Sequence, residues 1–235
     1  MQLYAGSSGF SYKEWKGPFY PAKLPPAEML EFYAGRLNSV EINNTFYRMP
    51  RRELLEGWAA KVPDGFQFAI KAPRRITHSK KLTDCTDEMR FFVDPLGALG
   101  NRLGPVLFQL PPNFPLDLER LETFLKLVPA TVRAAFEFRH DSWLNDEVAE
   151  KLAALNHTLV WADTDKTEGK HWPAAGEWFY LRLRREGYDE AQLLEWLQRL
   201  KVANAREAFV FFKHEDEGAA PALAKKLAEL AKSNR

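Results

Sequence analysis

Ala134-Ala135-Phe136-Glu137-Phe138-Arg139-His140-Asp141-Ser142-Trp143 is a short apolar run that holds one carboxylate and then breaks into Arg, His, Asp, Ser and Trp. A fully buried strand is apolar throughout, and a buried acid is rare unless it is paired. Glu137 therefore needs a reason to be there, and the polar burst that follows places that reason at the end of the strand. In a parallel barrel, the ends of the strands form the face that carries the site.

Working outward, the same theme recurs. Leu3 to Gly9 reads as a strand ending in small residues, and Ser39 to Tyr47 as a strand carrying Glu41 that runs into Asn43, Asn44 and aromatics. Phe66 to Lys71 is followed by the basic segment Ala72 to His78, and Val106 to Leu110 is stopped by Pro111 and Pro112. Leu159 to Asp163, Trp178 to Arg184 and Ala208 to Phe212 complete eight runs. Helical periodicity separates most of them, over Glu28–Leu37, Arg51–Lys61, Glu88–Leu103 (with Pro95 as a kink or the true start), Leu118–Leu127, Asn145–Leu155, Glu190–Leu200 and Ala220–Ala231. Thr164 to Glu177 shows no such pattern, so the crossover helix after strand 6 is expected to be short or missing. Parallel neighbours require crossovers, and eight such units predict one α/β domain over residues 1–235, a (β/α)8 TIM-type barrel. An open doubly wound sheet fits less well, because strand 1 lacks a phosphate-binding glycine fingerprint leading directly into a helix.

Composition narrows the function classes. The chain has 235 residues, enough for a large core, and is rich in aromatics, with 17 Phe, 7 Trp and 7 Tyr that could fill a core or line a cleft. Net charge is +1, so no overall field draws the protein to nucleic acid or membrane. The single Cys85 excludes an internal disulfide and a cysteine-cluster metal site. No apolar run approaches ~18 residues, and the start runs straight into a strand without a signal-like pattern. The expected location is the cytoplasm, with no membrane partner.

These segments resemble the domain-of-unknown-function family 72, the YecE-like proteins. The resemblance rests on Gly6 to Tyr12 with Trp15 to Pro21, Val40 to Tyr47, Phe68 to Arg74 with Ile76-Thr77-His78, Gly104 to Phe114, and Glu137 to His140 with Ser142-Trp143. It implies a TIM-type barrel and a site, but no reaction. Two departures stand out. The family tends to carry Arg-x-His-Gly after the seventh strand, where this chain has Arg182-Leu183-Arg184-Arg185. It tends to carry Asn-Asn-His after the eighth, where this chain has Lys213-His214 before Gly218-Ala219-Ala220-Pro221.

Strand ends gather Ser7, Glu41, Asn43, Lys71, Gln109, Glu137, Arg139, Asp163, Arg182 and Lys213 at one mouth, with His140 just beyond. Glu137, Lys71 and Glu41 are the candidate catalytic residues, and Ser7, Asn43, Gln109, Arg139, His140, Asp163, Arg182 and Lys213 the candidate substrate ligands. Burial would raise the pKa of Glu137 and neighbouring cations would lower it; the sequence leaves the balance open. If burial dominates, Glu137 is a general acid or base. Lys71 reads as a Schiff-base or proton-transfer lysine, or more plainly as an ion-pair partner of Glu41 or Glu137. His78 and His140 are further acid/base candidates, although loop histidines more often serve as simple hydrogen-bonding groups. Glu41, Glu137, Asp163 and His140 lack metal-ligand spacing and lie among cations, so neither a metal nor a cofactor is expected.

The leading reading is an enzyme acting on a small anionic or polyhydroxylated molecule such as a sugar phosphate, by carboxylate acid/base chemistry with Lys/Arg charge neutralisation. A second is a nucleic-acid-binding or nuclease-like accessory protein using Arg74, Arg75, Lys80, Lys81, Arg184 and Arg185. A third is a non-catalytic regulatory or partner-binding barrel. Trp15, Tyr47, Trp143 and Trp172 could stack on a sugar or base, or simply pack loops.

Overall fold

The computed structural model describes residues 1–165, 167, 172–213 and 218–233. Strands β1 (Gln2–Ser7), β2 (Ser39–Ile42), β3 (Gln67–Lys71), β4 (Leu103–Gln109), β5 (Ala134–Glu137), β6 (Thr158–Asp163), β7 (Trp178–Leu183) and β8 (Glu207–Phe212) form one sheet of order β1-β8-β7-β6-β5-β4-β3-β2. Its seven strand pairings are all parallel. The sheet is a nearly closed TIM-type barrel. Helices α1 (Met29–Ala34), α2 (Arg52–Ala59), α3 (Thr86–Leu96), α4 (Leu118–Leu125), α5 (Asp146–Ala153), α6 (Glu190–Val202) and α7 (Ala219–Ser233) punctuate the strands.

The helix ends show the local chemistry. Asn145 caps α5 by accepting from the Val148 amide, and Asp189 with Gln192 forms a capping box on α6. The helix expected over Glu88–Leu103 is two pieces: α3 ends at Leu96, and a 3₁₀ segment follows in which Gly100 turns to φ 54°. Pro95 does not start the helix but sits in its last turn. Between β6 and β7 the described residues hold no helix.

The seam between β1 and β2 carries no regular ladder. It closes through one bridge, Ser8 to Glu41, where the Gly9 amide donates to the Glu41 carbonyl at 2.8 Å. Side chains complete it. Asn38 accepts from the Ala5 amide and donates to the Leu3 carbonyl, while the Tyr33 hydroxyl accepts from the Ser7 amide and donates to the Ser39 carbonyl. The backbones meet most closely at Gly6, where a Cβ would lie 2.0 Å from the Ser39 oxygen. Gly6→Ala must pry the seam apart, and a loss on the order of 2 kcal/mol is expected from such overpacking. Urea unfolding measures this; a variant as stable as wild type would show that the seam can relax.

Strand alternation divides the side chains into two layers. Phe108, Phe136, Phe138 and their like face the helices. Tyr4, Ala69, Leu107, Ala135, Val160, Trp178, Tyr180, Phe209 and Phe211 fill the barrel interior. Large rings from β7, β8 and β1 offset the small Ala69 and Ala135 opposite, so the interior is a packed core and not a pore. The next inward position on each strand lies one layer higher, at the C-terminal mouth.

Candidate functional site

In the layer above the interior core, five strands present a polar side chain to the mouth: Ser8 after Gly6, Lys71 after Ala69, Gln109 after Leu107, Glu137 after Ala135 and Arg182 after Tyr180. At their centre lies the buried Arg182. It donates through Nη1 to Glu137 Oε2 at 2.6 Å and through Nη2 to Glu41 Oε1 at 2.8 Å, tying β7 to β5 and β2.

The two carboxylates are held differently. Glu41 is saturated: Oε1 also accepts from Ser8 Oγ and Asn43 Nδ2, both at 2.8 Å, and Oε2 accepts from the Tyr180 hydroxyl at 2.8 Å. Glu137 accepts one bond on each oxygen, from Arg182 and from Arg139 Nε at 3.0 Å, which leaves acceptor capacity unused. Burial pushes both acids up, but the adjacent guanidinium groups and their hydrogen bonds outweigh it and hold both at about 2. Glu137 is therefore ionised at neutral pH, and the expectation that burial makes it a general acid does not hold here.

Lys71 behaves in the opposite way. Its ammonium donates to Gln109 Oε1 at 2.9 Å and lies 4.3 Å over the Phe46 ring, and among the described residues no carboxylate, Glu41 and Glu137 included, lies within ion-pair distance of it. Burial lowers its pKa, Arg182 lowers it further, and Glu41 and Glu137 only partly offset this, leaving it at about 8. Thr45 fixes the strand end by donating to the Lys71 carbonyl. His78 sits on a π-helical turn, Arg75–Ser79, with its ring edge-on to Phe46 at 4.9 Å and its Nδ1 3.0 Å from the Thr77 hydroxyl.

Several expected ligands lie elsewhere. Ser7 faces the helix layer, where its hydroxyl meets the Tyr33 hydroxyl and the Gly9 carbonyl; the inward serine is Ser8. Asp163 is one position out of phase with the inward Val160 and Ala162, and it accepts from Arg185 Nε and the Tyr188 hydroxyl. His140 is part of the turn at Asp141–Trp143, accepting from the Ser142 amide. Asn43, Gln109, Arg139 and Arg182 are in the cluster, and Lys213 continues the inward phase of Phe209 and Phe211. His214 lies outside the described residues. Ser8 and Tyr180 were absent from the sequence list, although both follow from counting in twos along β1 and β7.

Trp15 and Trp143 are buried, Trp143 stacked on Phe138 at 4.0 Å, and Trp172 is nearly buried, whereas Tyr47 is exposed. The basic segment is not one open surface: Arg75 and Lys80 both pair with Glu88, and Arg185 with Asp163. Among the described residues, no group of three or more His, Cys, Asp or Glu side chains is placed to hold a metal, and no helix is long and apolar enough to cross a membrane.

Similar proteins share this frame. The chain is 36% identical over 131 residues to the UPF0759 protein YecE of Escherichia coli K12, an alignment covering 55% of this chain and 47% of YecE, so the match spans about half the length of that relative. The crystal structure of a DUF72 family protein from Thermotoga maritima superposes with a TM-score of 0.84 at 29% identity, covering 99% of this chain and 100% of that one. A 3-keto-D-glucoside 4-epimerase from E. coli superposes at 0.61 with 12% identity over 99% of both chains, a likeness of fold alone. The family described as "Protein of unknown function DUF72" matches residues 4–235, and the chain belongs to that family.

Proposed function

We propose that the barrel mouth is the active site of an enzyme acting on a small anionic or polyhydroxylated molecule, with Lys71 as its proton-transfer group. The observation that carries this reading is the state of Lys71: an ammonium inside a polar mouth, bonded to a neutral amide and poised at about 8. A group titrating near neutral pH suits general acid/base work, whereas carboxylates at about 2 do not. Glu41, saturated by four donors, serves as scaffold. Glu137, with spare acceptor capacity, orients substrate hydroxyls. Gln109 and Asn43 tie Lys71 and Glu41 in place. Arg139 and Arg182 keep the carboxylates ionised and supply positive potential. The epimerase of similar fold bears a sugar-derivative substrate in its name, which supports a polyhydroxylated ligand for this mouth.

The test is a thermal-shift panel of sugars, sugar acids and sugar phosphates on wild type and Lys71→Met. At least one member is expected to raise the Tm of wild type, with the shift reduced in Lys71→Met. Equal shifts in both proteins would remove Lys71 from the site, and a panel with no ligand would remove the substrate class.

A further inference from the structure

We infer that Arg184 forms a phosphate-class anion subsite on the β7–β8 side of the mouth, so that the ligand carries a phosphate or comparable tetrahedral oxyanion there. This rests on the reading of the mouth as a ligand site and names the ligand's charged end.

Arg184 follows Arg182 by two positions, and its amide donates to the Asp163 carbonyl at 2.9 Å, so it keeps the inward phase of Trp178, Tyr180 and Arg182. The two arginines nevertheless differ in state. Arg182 is committed to two carboxylates. Arg184 is partly buried, its Nη1 is shut off from solvent, and that atom has no hydrogen-bond partner among the described residues. An N–H donor buried without an acceptor costs free energy, and a guanidinium can neither lose its proton readily nor accept a bond to compensate. Only an acceptor satisfies it. Burial and Arg182 press on its charge, while Glu41 and Glu137 lie too far to bond and only partly offset them.

The charge balance points to the class of acceptor. Among the described residues at the mouth, Glu41 and Glu137 are two carboxylates, whereas Lys71, Arg139, Arg182 and Arg184 are four cations in one another's field. A dianion such as a phosphate monoester neutralises the excess, and a guanidinium fork matches its paired oxygens. Lys213 directly follows β8 and keeps the inward phase of Phe209 and Phe211.

Inorganic phosphate is the probe, titrated by calorimetry against sodium chloride of equal ionic strength. Wild type is expected to bind phosphate, and Arg184→Met to bind it at least about 10-fold more weakly, the loss of one charge-assisted contact. Phosphate is also expected to slow phenylglyoxal modification of Arg184 in the wild-type protein, read by mass spectrometry, which keeps the test open if the variant fails to fold. Unchanged affinity in Arg184→Met, unprotected Arg184, or no phosphate binding to wild type would overturn the subsite. If uncharged polyols still stabilise wild type through Lys71, only the subsite falls; if they also fail, the reading of the mouth falls with it.

Discussion

Arg182→Met is expected to lower the unfolding free energy by about 3–5 kcal/mol, the usual consequence of leaving buried charges without their partner. The side chain is 2% exposed and faces carboxylates that are 0% and 3% exposed, so water cannot replace it. The pH profile identifies the cause. In wild type, both acids titrate at about 2 when folded and near ~4.3 when unfolded. A folded pKa below the unfolded one stabilises the fold fully above the unfolded value, and this contribution is lost as pH falls through the folded value. Wild type should therefore lose stability from about pH 4.5 down to about pH 2. Without Arg182, burial loses its largest opponent at both acids, so the variant should lose less stability than wild type as pH falls through this range. Urea midpoints from pH 3 to pH 8 measure both profiles. A variant within about 1 kcal/mol of wild type with an unchanged profile would mean that other donors support the carboxylates.

The barrel was legible because each strand announces itself by apolar residues, and β3, β4, β5 and β6 end in a charge or amide. Glu137 in its apolar run, Glu41 before Asn43 and Lys71 before Pro73 all pointed to one face. Phase within the strand is the finer signal. Collecting the last residue of each strand took in Ser7 and Asp163, whereas counting in twos from the interior Tyr4 and Val160 takes in Ser8 and passes over Asp163. The ionisation states were not legible. The charge that decides Glu137 belongs to Arg182, 45 residues away and two strands across the barrel. Local sequence carries no record of that pairing. The change from α3 to the 3₁₀ segment at Gly97 was hidden for a different reason: apolar periodicity runs through it, and the positive φ of Gly100 breaks the helical path only within that segment.

Lys71 is expected to react with a small acylating reagent such as acetic anhydride far more readily at neutral pH than its chemistry as an ordinary lysine allows. With a pKa of about 8 in place of ~10.4, the free-amine fraction at pH 7 rises about 10²-fold. Trace acetylation followed by peptide mass spectrometry across pH 6–11 should give an inflection near 8 for Lys71, well below the ~10.4 of an ordinary lysine. An inflection near 10 at Lys71 would end its assignment as the proton-transfer group. Stability supplies an independent check, and the sign matters. Below pH 8, Lys71 is charged in both states and burial penalises the folded one; between pH 8 and ~10.4, the unfolded chain binds the extra proton, so the fold gains stability as pH rises. Lys71→Met removes a half-buried charge that no carboxylate among the described residues pairs with, and its apolar chain can keep the contact with Phe46. The variant should therefore be at least as stable as wild type at pH 7, with its advantage shrinking as pH rises through 8, while ligand response falls. A lysine kept for structure predicts the reverse, a less stable variant with its ligand response intact. Stability gained where binding is lost is the mark of a group maintained against the preference of the fold.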